Sequence, residues 1–594
     1  MGVIVMNINY VQMITFLCGG LAFFLYGMNV MSSGLEKMAG GKLESMLRKS
    51  TSNKLMSLLL GAGITIAIQS SSAMTVMLVG LVNSGIMQLG QTVGVIMGSN
   101  IGTTLTAWIL ALNGMESENV FLSLLKPEAF SLLFALLGIA LIMMSKKEKS
   151  KSIGSVLVGF AVLIYGMELM GDAVADLKNN PQFSELLTAF NNPLLGVLVG
   201  AVFTGVIQSS AASVGILMGF ANTGLITFNM AAPIVMGQNI GTCVTALISS
   251  IGVNKNAKRV AVVHISFNLI GTGIFLILYF LADWLLGAMF DNFTNTVVDS
   301  VWIAAFHTVF NVVTTVLLLP FSKLLEKFAN FCVRDKAEVT EEYSFIDQRL
   351  LATPSVAIAE CDRKTREMAR IAKDTIFSSL ALLSSYDEEK AKKLIAAEDE
   401  LDFYEDKLGT VLVQLSSKAI SDEDSKRVAK QLHTIDDFER IGDHAINLLK
   451  AAQEMHEKNI TFSSDAAAEL SVATAALTEI LEITTESFCK EDLVLAAQVE
   501  PLEQVIDHIM DKMKTRHVER LQSGKCTIQL GFVLSDILNN FERISDHCSN
   551  IAVALIETKQ NAFEAHEHLN GIKQEGNPEY QTAYLNFRQK YAIK

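Results

Sequence analysis

The chain is 594 residues long, half of them apolar and only 18% charged, against roughly a quarter charged in soluble domains. Residues 1–330 hold 16 basic and 14 acidic side chains and the rest hold 31 and 47, so a membrane part of net charge +2 precedes a soluble part of net charge −16. The acidic balance leaves a nucleic-acid partner without electrostatic support, and seven scattered cysteines without a C-x-x-C pair argue against a disulfide framework or a zinc knuckle.

The first residues, MGVIVMNINY, lack the basic region of a cleavable signal, which leaves membrane insertion to internal segments. Apolar stretches long enough for a bilayer core of about 30 Å occur near 11–34, 86–112, 129–145, 153–171, 225–251, 260–282 and 301–320. Two further stretches, 55–83 and 194–222, are interrupted by glycines and by the runs QSSSA and QSSAA. If each crossed once, Lys146 to Lys151 would fall opposite the loop holding Lys42, Arg48, Lys49 and Lys54, against the positive-inside tendency. Read as hairpins that enter and return, they place 14 Lys and Arg inside, Lys255, Lys258, Arg259, Lys323 and Lys327 among them, and only Lys126 and Lys178 outside.

Residues 61–106 align without a gap on 200–245, with 19 identities in 46 positions. The same offset of 139 pairs Tyr26-Gly27-Met28 with Tyr165-Gly166-Met167, Asn83 with Asn222, and GSNIGT (Gly98 to Thr103) with GQNIGT (Gly237 to Thr242). Three spans separate equivalent points, so the copies are expected in opposite orientation, an arrangement that lets a central site open to alternate sides. No Asp, Glu, Lys or Arg occurs from Leu55 to Leu112 or from Leu194 to Val253, so a site there works with neutral groups. Broken hairpin tips present helix N-termini suited to an anion, and Ser70, Ser71, Ser72, Ser209 and Ser210 add hydroxyl donors. Their lone pairs join the amide oxygens of Gln69, Gln208, Asn100 and Asn239 and the hydroxyls of Thr103 and Thr242 in a hard-oxygen shell that suits sodium. An oxyanion with no Arg or Lys beside it needs charge compensation, which co-bound sodium supplies. Close helix packing through small residues is the alternative for one copy of the motif, and the second, inverted copy favours a site.

The two Q-S-S segments, each followed by G-x-N-I-G-T, together with AVVHISFNLIGTG (Ala261 to Gly273), resemble the type II sodium/phosphate cotransporter family over most of residues 11–325. The resemblance implies that Gln69 to Ser72 and Gln208 to Ser210 line a site for phosphate and sodium, with Asn100, Thr103, Thr104, Asn239 and Thr242 nearby. It also narrows the oxyanion to inorganic phosphate. The sequence departs from the family in two places. H-x-x-F-N at His264 to Asn268 recurs at His307 to Asn311 with no counterpart after the first hairpin, and Thr106 to Leu112 lacks the aspartate associated with electrogenic members.

From about Ser355 apolar residues follow helical spacing to about Lys559. Here DDFERIGDHAINL (Asp436 to Leu448) aligns on NNFERISDHCSNI (Asn539 to Ile551) at an offset of 103. Asp399, Asp402 and Asp406 pair at an offset of 101 with Glu500, Glu503 and Asp507, each trio on one helical face, and Glu439 with Asp443 and Glu542 with Asp546 form i, i+4 pairs. Like charges so placed repel unless compensated, either by a hard cation such as Mg, Mn or Fe or by Arg440 and Arg543 on a solvated face. The doubled E-R-I-x-D-H pattern resembles the PhoU family, phosphate-signalling proteins of two three-helix bundles, and the resemblance implies a divalent or trivalent metal with His444 and His547 near it.

The expected molecule is all-α. A polytopic membrane domain at 1–330 has repeats at about 11–145 and 153–282 and a last span at 301–320; a linker at 331–350, a PhoU-like domain at 351–560 and a polar tail at 561–594 follow. No nucleophile and base pair, P-loop or zinc signature points to an enzyme. The expected function is sodium-coupled phosphate transport in the cell (inner) membrane, with the lipid bilayer as partner and the PhoU-like domain in the cytoplasm. A carrier of another oxyanion, a non-transporting phosphate sensor and a homo-oligomer stay open.

Overall fold

The computed structural model describes residues 10–39, 53–111, 127–175, 192–334, 345–418, 420–560 and 578–593. Lys42, Arg48, Lys49, Lys126 and Lys178, on which the expected sidedness partly rests, lie outside them, as do 335–344 of the expected linker and 561–577 of the expected tail. The chain divides into two compact units, Met1–Val356 and Ala357–Lys594. Among the described residues the regular elements are helical, and an isolated bridge joins Thr227 to Val297.

The first unit runs α1 (Tyr10–Ala39), α2 (Lys54–Ile68), α3 (Ser71–Asn83), α4 (Leu89–Ala111), α5 (Pro127–Met144), α6 (Glu148–Ala175), α7 (Pro193–Ile207), α8 (Ser210–Ala221) and α9 (Phe228–Gly241). It continues with α10 (Cys243–Ser249), α11 (Lys255–Leu286), α12 (Ala288–Thr294), α13 (Ser300–Leu318), α14 (Ser322–Cys332) and a 3₁₀ turn at Gln348–Ala352. Among the described residues six helices can cross a membrane by length and composition: Val11–Leu35, Leu89–Ala111, Glu148–Ala173, Phe228–Ser249, Lys255–Leu286 and Ser300–Leu318. The expected span at 129–145 falls in α5, whose apolar part Ser131–Met144 is short, as are α2, α3, α7 and α8.

Glycines set how closely the helices of each copy approach. On α4 a Cβ at Gly98 would stand 1.9 Å from the Leu58 carbonyl oxygen of α2, and one at Gly61 2.1 Å from the Val95 oxygen. In the second copy Gly237 meets the Val197 oxygen at 2.0 Å and Gly200 the Ile234 oxygen at 2.2 Å. The two helix pairs α2/α4 and α7/α9 therefore cross backbone to backbone at equivalent glycines, 139 residues apart. Between them Phe24, Leu110, Leu163, Ile164, Met167 and Met218 form a buried core from α1, α4, α6 and α8. Leu136, Val206, Ile277, Trp284 and Val316 stay exposed on this unit, as expected of a surface whose solvent is hydrocarbon.

The second unit contains α15 (Pro354–Ser384), which starts in the last residues of the first, then α16 (Glu388–Ser416), α17 (Asp422–Glu457), α18 (Ser464–Lys490), α19 (Leu493–Ala496), α20 (Val499–Gln522) and α21 (Ile528–Gln560). Ser421 and Ser463 cap α17 and α18, and Asp387 caps α16, each accepting from backbone N–H groups of its first turn. Residues 578–590 of the expected polar tail form α22 (Pro578–Lys590). It is anchored by Lys590 to Glu479 at 2.7 Å and by Lys512 to the Ile593 carbonyl at 2.7 Å.

Candidate functional site

Helices α2 and α7 end in the same way. Gln69 (φ 53°, ψ 26°) and Gln208 (φ 58°, ψ 22°) are left-handed C-caps, a conformation few non-glycine residues adopt. The next residue then caps a new helix: Ser70 Oγ accepts from Ala73 N at 3.1 Å, and Ser209 Oγ accepts from Ala212 N at 3.2 Å. Each serine uses a lone pair for its cap and keeps its O–H to donate elsewhere. The first turns of α3 and α8 add unpaired backbone N–H groups and the positive ends of two helix dipoles.

These four ends converge on a cavity of about 330 Å³. It is lined by Gln69 to Ser72 and Thr103 from the first copy, Gln208 to Ser210 from the second, and Asn29, Ser32, Ser33, Thr65 and Thr106. Among the described residues no ionisable side chain lines it. The two glutamines differ within it. Gln69 is buried, donates through Nε2 to the Ile66 carbonyl at 2.7 Å and accepts from Thr106 Oγ1 at 2.9 Å. The Gln208 carboxamide is exposed and, among the described residues, makes no such bonds.

Asn100, Thr104, Asn239 and Thr242 are buried but do not line the cavity. Three of them turn back on their own helices: Thr104 Oγ1 donates to the Ile101 carbonyl at 2.7 Å, Asn239 Nδ2 to Val235 at 2.9 Å and Thr242 Oγ1 to Asn239 at 2.6 Å. The H-x-x-F-N patterns behave likewise, with Asn268 Nδ2 on the His264 carbonyl at 3.0 Å and Asn311 Nδ2 on that of His307 at 2.9 Å. Ser32, Thr65 and Thr106 were not singled out from the sequence. The signal for Ser32 was its place four residues after the repeated Tyr-Gly-Met.

Residues 23–172 and 162–293 match the sequence profile of the Na+/Pi-cotransporter family, and residues 365–452 and 474–555 match the PhoU domain. YqeW of Bacillus subtilis, described as uncharacterized, is 30% identical over 317 residues, 53% of this chain and 97% of that protein. The chain belongs to the Na+/Pi-cotransporter family. An Escherichia coli K12 protein named "Putative inorganic phosphate export protein YjbB" is 23% identical over 549 residues, 91% of this chain and 97% of its own. Sodium-dependent phosphate transport protein 2A of Rattus norvegicus is 38% identical over 97 residues, 16% of this chain and 15% of its own. In this member of the cotransporter family the first unit is a membrane domain and the second is PhoU-like.

In the PhoU-like unit the second acidic copy is the tighter. Ligand oxygens of Glu503, Asp507 and Asp546 lie within 4.8 Å of one another, and among the described residues no other group of three does so. Burial, then Asp507 and Glu500, pushes the Glu503 carboxyl up to about 8. Burial, then Asp546 and Glu542, pushes Asp507 up to about 6, and Asp546 is raised as well. Two expected members are otherwise engaged: Glu542 pairs with Lys514 at 2.8 Å, and Glu500 accepts from the Ser549 hydroxyl. In the first copy burial, then Asp443 and Asp402, raises Glu439 to about 7, Asp402 is also raised, and Asp406 pairs with Lys407 at 3.1 Å while Asp399 faces Asp402. His444 and His547 join the copies, His444 Nδ1 to Asn540 Oδ1 at 2.8 Å and His547 Nδ1 to Asp437 Oδ1 at 2.9 Å. Their rings stand 5.5 Å apart.

Proposed function

We propose that this chain is a sodium-coupled carrier of inorganic phosphate that works by alternating access, with its PhoU-like unit a cytoplasmic regulatory domain. The observation that carries this reading is the convergence of both Q-S-S segments on one cavity that no ionisable side chain lines among the described residues. Serine O–H groups and the helix N-termini of α3 and α8 hold the oxyanion, and the Gln208 carboxamide oxygen with serine and threonine lone pairs holds sodium. Because no described residue gives the site a fixed positive charge, anion binding is weak until sodium enters. That dependence is the coupling. The name of the rat relative supports sodium, and the names of both it and the Escherichia coli relative support phosphate. The two copies of the repeat, taken as inverted hairpins within a domain at 1–330, supply the two packings that expose the cavity to either side. A linker at 331–350 and a PhoU-like domain expected at 351–560 complete the proposed division, the first compact unit reaching to Val356 and so taking in residues 351–356.

The test is flux of labelled phosphate in proteoliposomes. A sodium gradient should drive phosphate movement, and a potassium gradient should not. Equal flux in both, or none in either, would refute the carrier reading.

In the PhoU-like unit we propose a hard-cation site at Glu503, Asp507 and Asp546, three converging carboxylates of which Arg543 reaches one, Asp546, at 3.3 Å. Mn²⁺ or Mg²⁺ added to chelator-treated chain at pH 8 should raise its melting temperature by several degrees. Glu503→Gln should remove that response and, by lifting like-charge repulsion, melt higher than the parent in chelator. A parent that melts identically with and without the cation would return this face to plain solvation.

A further inference from the structure

The cavity has a wall that comes from neither copy of the repeat. Residues 347–353, which follow the last helix of the first unit, run antiparallel along α3 and bring Ala352 and Thr353 into the lining beside Ser70 to Ser72. Three contacts fix the run. Asp347, 2% exposed, accepts from Asn83 Nδ2 at 2.6 Å at the far end of α3. Leu350 is fully buried against Gly80, where a Cβ would stand 2.9 Å from its Cδ2. Arg349 Nε donates to the Ser249 carbonyl at 2.7 Å and Nη2 to that of Ile251 at 2.6 Å, while Nη1 holds Asp347 Oδ2 at 3.1 Å. Thr353 N then donates to the Leu350 carbonyl at 2.9 Å and closes the turn.

Thr353 is 2% exposed and lines the cavity, and among the described residues its hydroxyl has no hydrogen-bond partner. The Thr353 hydroxyl opens onto the cavity from a firmly held backbone, so it is free to donate to whatever occupies that space. We propose that Thr353 is a further binding residue of the phosphate site, its O–H donating to the oxyanion, and that Asp347 and Arg349 are positioning residues that hold it there. The inference rests on the cavity being the phosphate site. It places one ligand of the carrier immediately before α15, the helix that leads into the PhoU-like unit.

The test is calorimetric binding of inorganic phosphate to the full chain in sodium buffer. Thr353→Val keeps the shape and removes the donor, so affinity should fall about tenfold, the worth of one hydrogen bond to a charged group, with the melting temperature unchanged. Thr353→Ser should restore binding. Arg349→Gln should weaken binding in the same direction, and Thr353→Cys should be alkylated at residue 353 more slowly when phosphate and sodium are present. Wild-type affinity in Thr353→Val beside loss in Gln208→Ala overturns this inference alone. Wild-type affinity in both overturns the cavity as the phosphate site and this inference with it.

Discussion

Gln208→Ala should reduce sodium-driven phosphate flux at least a hundredfold while the melting temperature stays within about a degree. The Gln208 carboxamide is exposed to the cavity and supports no other described residue, so its removal deletes a ligand and little else. A lost bond to a charged ligand is worth about 1.5–3 kcal/mol, and a carrier that must bind ion and anion together loses on both. Gln208→Gly sharpens the experiment, because glycine adopts φ 58° without strain and keeps the backbone between α7 and α8. It should be as inactive as the alanine variant and at least as stable. Gln69→Ala behaves differently. It strips the Ile66 carbonyl of its donor and leaves Thr106 Oγ1 buried without its acceptor, so both flux and stability fall, the latter by about 1–3 kcal/mol. Normal flux in Gln208→Gly would mean the carboxamide is no ligand and would remove the glutamines from the site.

The motif was legible because two copies could be compared. Glutamine followed by serines in an apolar stretch is ambiguous once, and the second copy at the same offset showed that the break in the helix was a feature of the fold. The structure adds the reason for the residue types: a left-handed C-cap at Gln69 and Gln208 and a serine N-cap directly after each. The choice among Asn100, Thr103, Thr104, Asn239 and Thr242 was not legible. Within a helix a hydroxyl or amide can satisfy itself on a carbonyl three or four residues back, and only Thr103 of the five also reaches the cavity. Ser32 and Thr353 come from segments far from the motif in the chain, and Thr106 stands one helical turn beyond Thr103, outside the G-x-N-I-G-T pattern. In the PhoU-like unit the carboxylate faces were legible from helical spacing. The withdrawal of Glu542 by Lys514 was not, since their pairing is set by how α20 meets α21.

Gly98→Ala and Gly237→Ala should be the most damaging single methyl groups among the described glycines. A Cβ at Gly98 would sit 1.9 Å from the Leu58 carbonyl oxygen and one at Gly237 2.0 Å from that of Val197, and in both cases the obstacle is backbone, which cannot rotate away. The helix pair must open by more than an ångström, and overpacking of that kind costs about 3 kcal/mol or more. The opening also acts at a distance. Helices α2 and α7 carry Gln69 and Gln208 at their C-terminal ends, so tilting either one moves a cap and the serine beyond it. Gly63→Ala is the control, with nothing within 4 Å of its Cβ. Alanine there should be neutral or stabilise α2 by about 0.5–1 kcal/mol through helix propensity. Melting of the three variants in detergent separates the cases. Gly98→Ala and Gly237→Ala should melt several degrees lower and lose phosphate binding, and Gly63→Ala should keep both. Parental melting in Gly98→Ala would mean that α2 and α4 do not cross as closely as described, and the placement of Gln69 and Gln208 would fall with that crossing.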